Sequence, residues 1–440
     1  MVAVAQHIPD ELRVPVERWL ERYGEPLRVD DVARLVACSE FAGGVILRDK
    51  DWFIDNVDSF DQPPEMTGLE SLVGADDVKA ELRRFRNRFM LHVLWREVFG
   101  LADLDETLSS LSSLAERMLD VATREAERQL EPRYGCVRNA VGNKVPLVLL
   151  GMGKLGGYEL NFSSDIDLIF LYPGNGETDG AKTVSAQEYF GRLTRQLIAL
   201  LDEATADGFV FRIDTRLRPF GDSGPPVVSF AALESYLLQH GRDWERYAYV
   251  KARVVGPHPG DEAIDDLYRN LVRPFVYRRY IDYGVFESLR EMHAMIASEV
   301  QRRDLQNNVK LGPGGIREAE FVVQSLQLVR GGSEPALQAR ELQAVLPLLV
   351  NNRGLEEDGA TSLRDAYRFL RRVENFIQAM RDRQLHDLPD DSADQARLCL
   401  AMAYTGWEEL RADIDHHRAA IAAQFEAVAF REQDDETPFL

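Results

Sequence analysis

The residue types and spacing best suited to chemistry lie in SSDIDLIF, where Asp165 and Asp167 stand two apart on a predicted strand. Side chains two apart on a strand leave the same face, so the carboxylates project together while Ile166 and Leu168 pack on the other. Neighbouring carboxylates repel each other, and Mg2+ relieves this by taking one or two of them together with substrate phosphate oxygens. A hard-cation site for phosphoryl chemistry follows; the plainer alternative leaves both aspartates in solvent on an edge strand. A third carboxylate, Asp214, ends the strand-like FVFRID, with Arg212 on its own face and Arg216, Arg218 and Pro219 directly after it. Three carboxylates suit a two-metal site that clamps the attacking and leaving oxygens of an in-line displacement while arginines neutralise phosphate charge. As a bland alternative, Asp214 is a turn residue at a strand end.

Just upstream, GMGKLGG (Gly151–Gly157) satisfies the G-x-G-x-x-G pattern of dinucleotide-binding folds. That reading fails on length, because only Tyr158–Ser164 separate the last glycine from Asp165, too few residues for a crossover helix. The flanking strands are expected to be neighbours joined by a tight loop. In that arrangement Gly151, Gly153 and Gly156 let backbone N–H groups approach phosphate, Lys154 adds a point charge, and Ser163 and Ser164 add hydroxyl donors. A glycine-rich turn without a ligand is the competing reading.

These residues need a scaffold. Residues 1–138 read as helical, with apolar spacing at Val78, Leu82, Phe85, Phe89 and Val93 and at Leu108, Leu111, Leu114 and Met118. Residues 139–282 carry short strand-like runs, Pro146–Leu150, Ile166–Tyr172 and Phe209–Asp214, with a helix over Ser185–Leu201. Helical spacing returns over 283–429, as in Leu363, Tyr367, Leu370, Val373, Ile377 and Met380, and residues 430–440 read as an acidic linker or tail. The 440 residues carry 52 Lys and Arg against 73 Asp and Glu, a formal charge of −21, which argues against a broad grip on nucleic acid. Cys38, Cys136 and Cys399 lack metal-site or disulfide spacing. With neither an apolar span nor a leader pattern at the start, a cytoplasmic protein with no membrane partner is expected.

A glycine loop, a D-x-D strand and a lone later carboxylate form the pattern of the polymerase-β-like nucleotidyltransferases. Within that superfamily GMGKLGGYELNFSSDIDLIF, DGFVFRIDTRLRPFG, GRDWERYAYVKARV and KLGPGGIREAEF resemble the blocks of the bacterial glutamine synthetase adenylyltransferases. The resemblance implies a mainly α protein with an α+β nucleotidyltransferase domain, its small mixed sheet flanked by helical domains. NFSSDIDLIF (Asn161–Phe170) is similar to the N-terminal, AMP-removing half of those enzymes. That half acts on adenylylated glutamine synthetase by phosphorolysis, consuming inorganic phosphate and yielding ADP. The resemblance further implies a PII signalling protein, in its uridylylated form, as a partner, and a missing C-terminal adenylyl-adding half.

On this reading Asp165, Asp167 and Asp214 hold Mg2+, and Arg216, Arg218, Lys251 and Arg253 bring phosphate to a second anion. Trp244–Val254 reads as a helix with Trp244 and Tyr247 in the core. In KLGPGGIREAEF, Glu318 and Glu320 diverge on a helix, and Glu320 is expected to serve the dipole of its first turn. Two alternatives stay open: a same-fold enzyme that adds AMP or UMP, and a regulatory module that binds PII and the synthetase without chemistry.

Overall fold

The computed structural model describes residues 8–24, 27–278, 294, 298, 302, 305–352 and 354–429. The expected boundary near 282 and the acidic stretch 430–440 lie outside them. Helices α1 (Asp10–Tyr23), α2 (Val29–Cys38), α3 (Glu40–Arg48), α4 (Val78–Val98) and α5 (Leu104–Tyr134) come first. Three start on side-chain caps: Ser39, Asp77 and Asp103 each accept an otherwise orphaned amide, from Ala42, Ala80 and Glu106. The predicted apolar positions of α4 and α5 are buried, with only Phe85 partly so.

A five-stranded mixed sheet follows, built from β1 (Val148–Gly151), β2 (Ile166–Tyr172), β3 (Ile213–Asp214), β4 (Val227–Ser229) and β5 (Arg253–Val255). β1 and β2 pair antiparallel, Val148 opposite Leu171 and Gly151 opposite Leu168, so the glycine loop joins direct neighbours. β5 lies antiparallel on the other side of β1. β3 and β4 both run parallel to β2, β3 along its start and β4 along its end. Beyond Asp167 every residue of β2 is buried, which explains its unbroken apolar run. Helix α6 (Ala186–Asp202), capped by Ser185, fills the crossover between β2 and β3 and packs on α5.

Two expected elements differ. Phe209–Arg212 are not strand: the amides of Val210 and Phe211 donate to Leu201 O at the end of α6, leaving only two residues for β3. The predicted helix over Trp244–Val254 stops early, as α7 (Asp243–Tyr249), because Val250 and Ala252 close tight turns on Tyr247 O and Tyr249 O. The β-branched Val254 and Val255 then extend as β5 along the open edge of β1. Trp244 is 43% exposed, against the expectation of a core position, while Tyr247 packs on Phe321.

The last helices are α8 (Ile316–Arg330), α9 (Leu342–Asn351), α10 (Glu357–Ala379), α11 (Ser392–Met402) and α12 (Trp407–Ala429). The stripe Leu363, Tyr367, Leu370, Val373 and Ile377 on α10, with Met380 at its C-cap, is buried. α10 packs on α12 and α11, and α11 on α1 and α2. A single cluster of buried apolar side chains runs from Tyr23 to Ala429. All three cysteines are unpaired, and no helix among the described residues is long and apolar enough to cross a membrane.

Candidate active site

The parallel pairing of β2 and β3 sets Ile166 opposite Ile213 and Asp167 opposite Asp214. Adjacent strands lie about 4.8 Å apart, so two carboxylates from different strands share one ledge. Asp165 sits one residue before β2 and is held from both sides. Arg212 Nε donates to its Oδ1 at 2.7 Å, and Gln384 Nε2, from the segment between α10 and α11, donates to its Oδ2 at 2.8 Å. Asp214 accepts from the Arg216 amide at 2.8 Å and from its guanidinium, and these bonds hold its pKa below the usual value.

Asp167 is different. Among the described residues, nothing donates a hydrogen bond to its carboxylate. Burial pushes its pKa up to about 6, Asp214 and Asp165 add to the rise, and Lys310 and Arg216 oppose it. No group of three His, Cys, Asp or Glu side chains among the described residues converges closely enough to form a metal cage by itself.

The glycine loop presses on this ledge. Gly153 lies at φ +53°, and a Cβ there would stand 2.8 Å from Asp167 Oδ2, so any side chain would displace the carboxylate. Gly151 and Gly156 serve packing: a Cβ would meet Val255 Cγ1 at 2.9 Å and Lys251 O at 2.1 Å. Among the predicted site residues, Gly153 and Arg216 border the carboxylates, and Ser163 reaches Asp165 through Arg212, which donates to the Ser163 hydroxyl. Ser164 is half-buried next to Asp165. Arg218 turns back to Thr215 O and Oγ1.

The other cations lie behind the loop, away from the open position at which a phosphate-binding Lys154 was expected. Lys154 Nζ is buried 2.8 Å from both oxygens of Glu374 on α10. Burial draws its pKa down to about 7, with Glu374 opposing. Lys251 Nζ is buried between Glu320 (2.8 Å) and Glu159 (3.3 Å). Arg253 donates to Gly156 O, Leu155 O and Glu116. Glu320 therefore belongs to a buried charge network rather than to a helix dipole; burial works against its ionisation, but Lys251 pulls its pKa down to about 2. Glu318 takes the terminal role, accepting the Gly314 amide at 3.0 Å.

With the geometry in place, comparison with known proteins is decisive. The profile of the glutamate-ammonia ligase adenylyltransferase family matches residues 29–265, and that of the GlnD PII-uridylyltransferase family matches residues 290–429. A bifunctional glutamine synthetase adenylyltransferase/adenylyl-removing enzyme of Shewanella loihica (strain ATCC BAA-1088 / PV-4) is 43% identical over 98% of this chain and 47% of its own length. One of the same description from Stenotrophomonas maltophilia (strain K279a) is 41% identical over 97% of this chain and 46% of its own length. The chain belongs to the glutamate-ammonia ligase adenylyltransferase family. It spans about half the length of the curated relatives it matches.

In this adenylyltransferase-family chain the C-terminal helices build the back wall of the site. Asn375 Oδ1 and Gln378 Oε1 of α10 accept the amides of Phe162 and Ser163, and Arg371 donates to Asn161 Oδ1 at 2.6 Å. Tyr367 donates to Glu159, and His386 Nδ1 lies 2.8 Å from Glu374. Burial disfavours a charged Glu374, but Lys154, His386 and Arg371 hold its pKa far below the usual range. Sequence reasoning missed Arg371, Glu374, Gln384 and His386. Arg371 and Glu374 fall between apolar positions of α10 and read as its solvated face; a lone glutamine or histidine in a loop carries no signal.

Proposed function

We propose that this chain removes AMP from the adenylyl-tyrosine of glutamine synthetase by phosphorolysis, giving ADP and the free tyrosine. The observation that carries the reading is Asp167, a half-buried carboxylate with no hydrogen-bond donor among the described residues, set level with Asp214. That donor set fits Mg2+, which takes a few carboxylate oxygens and completes its shell with water and substrate phosphate. Asp167 and Asp214 would hold the ion, with Asp165 bounding the site. When bound, Mg2+ supplies positive charge that stabilises phosphoryl transfer.

The remaining work falls to the chain's own groups. Arg212 and Gln384 fix Asp165, Gly153 keeps the loop tight against Asp167, and Arg216 orients Asp214 at the solvent side, where the Arg216 side chain is 74% exposed and able to meet incoming phosphate. A phosphate oxygen attacks the AMP phosphorus, the bond from phosphorus to the phenolic oxygen breaks, and the proton of hydrogen phosphate passes to the tyrosine oxygen. A phenol with an ordinary pKa near 10 leaves readily. Phosphate needs no strong general base. Removal rather than addition of AMP is supported by the likeness of NFSSDIDLIF to the AMP-removing half. The match of residues 290–429 to a PII-uridylyltransferase profile supports regulation by a PII protein; that this PII is uridylylated when it promotes removal, and that the chain works in the cytoplasm, belong to the same proposal.

The test is to incubate the chain with adenylylated glutamine synthetase, Mg2+ and phosphate and to identify the nucleotide released. ADP formation that stops on chelation of Mg2+ is expected. Transfer of AMP from ATP onto unmodified synthetase would move the chain to the adding class.

A further inference from the structure

The second glycine turn, KLGPGGI (Lys310–Ile316), has no part in the carboxylate ledge by sequence, yet the fold brings it there. Asn308 Oδ1 accepts the amides of Lys310 (3.1 Å) and Leu311 (2.9 Å), and Asn308 Nδ2 donates to Asp387 Oδ1 at 2.9 Å. The amide of Val309 donates to His386 O at 2.8 Å. The turn is compressed onto α12: Gly314 lies at φ +67°, and a Cβ there would stand 2.0 Å from Arg418 O. Lys310 is thus pinned to the strip 384–387, whose Gln384 grips Asp165 and whose His386 meets Glu374, the partner of Lys154.

From this anchor the Lys310 charge reaches Asp167, Lys154 and His386. Lys310 is half-buried, and its ammonium makes no hydrogen bond or ion pair among the described residues. Six other cations near the glycine loop and the ledge are engaged: Arg212 by Asp165, Arg216 by Asp214, Lys154 by Glu374, Lys251 by Glu159 and Glu320, Arg253 by Glu116, and Arg218 by Thr215. A half-buried lysine without a partner among the described residues, anchored beside the strip that grips Asp165, is placed to donate to an anionic group that an ion on the carboxylates would also hold. A phosphate oxygen has that chemistry.

We propose that Lys310 is a substrate-binding residue, donating to a phosphate group seated on the carboxylate ledge. This deepens the phosphoryl-transfer reading and rests on it. The group is either the attacking inorganic phosphate or the phosphoryl of the nucleotide.

Titration calorimetry of the whole chain with Mg2+ and either inorganic phosphate or ADP tests this in Lys310→Met and Lys310→Arg, alongside circular dichroism. Lys310→Met keeps the volume and removes the charge; Lys310→Arg keeps both charge and donors. The expected result is at least about tenfold weaker binding in Lys310→Met, with Lys310→Arg within about threefold of the parent, since a charge-assisted hydrogen bond contributes more than the ~1.4 kcal/mol that tenfold represents. Weakened inorganic phosphate binding places Lys310 at the nucleophile; weakened ADP binding alone places it at the nucleotide; both support the assignment. Unchanged binding of both ligands to folded Lys310→Met overturns it, as does equal loss in Lys310→Arg. Because binding is read apart from turnover, failure of deadenylylation in the parent chain refutes the reaction and leaves the Lys310 result readable.

Discussion

Replacing Asp167 by Asn separates the cost of the ledge from its use. In the metal-free protein burial raises the Asp167 pKa from 3.8 to about 6, with Asp214 and Asp165 adding to it. A rise of roughly two pH units at ~1.4 kcal/mol each is about 3 kcal/mol, and partial solvation of the carboxylate makes this an upper figure. The sign follows from linkage. The folded state binds this proton more tightly than the unfolded chain, so the associated stability is complete below pH 3.8 and lost as pH rises through 6. Above pH 6, Asp167 is ionised and strains the fold. Asp167→Asn is therefore expected to be more stable than the parent by about 1–3 kcal/mol at pH 8 in EDTA, as measured by urea unfolding. The gap should close towards pH 4. Saturating Mg2+ should stabilise the parent and not the variant, because a ligand that binds only the folded state shifts unfolding by mass action. Turnover of the variant should fall at least a hundredfold or so. A variant no more stable than the parent at pH 8, or a gap that persists at pH 4, would refute the reasoning.

Two further perturbations probe the wall behind the loop. Glu374→Gln leaves Lys154 and Arg371 buried without their shared carboxylate, and a loss of about 3–5 kcal/mol in urea unfolding is expected; a loss below about 1 kcal/mol would show that the pair is dispensable. A chain ending at Tyr283 loses the six buried apolar side chains of the α10 stripe, each contributing about 1.5–3 kcal/mol, together with every α10 contact to Asn161–Ser163. It is expected to aggregate on size-exclusion chromatography; a soluble, active monomer would contradict this.

What the sequence made legible follows the physics of each signal. β2 was read to the residue, because an apolar run with aspartates at its start fits a buried strand and little else. The D-x-D pair was read from strand periodicity, but only Asp167 lies in β2; Asp165 stands one residue before it. β5 was missed because its Arg-Val-Val continues an apolar spacing compatible with a helix, and only the open edge of β1 decides otherwise. Lys154, Lys251 and Glu320 were misplaced for one reason: a charged residue reads as solvent-facing unless its partner is known, and these partners lie between 69 and 220 residues away. The polar face of α10 fails likewise, since a buried hydrogen-bonded face and a solvated one have the same periodicity. The partition between glycines that border the carboxylates and glycines that allow packing required coordinates.

The central claim is that inorganic phosphate is the nucleophile that releases AMP. The most direct measurement supplies phosphate labelled at phosphorus, together with Mg2+ and adenylylated glutamine synthetase, and follows the label. Phosphorolysis predicts that it appears as the β-phosphorus of ADP, one equivalent per tyrosine restored, and that omitting phosphate stops the release. Unlabelled AMP appearing at the same rate without phosphate would contradict the account.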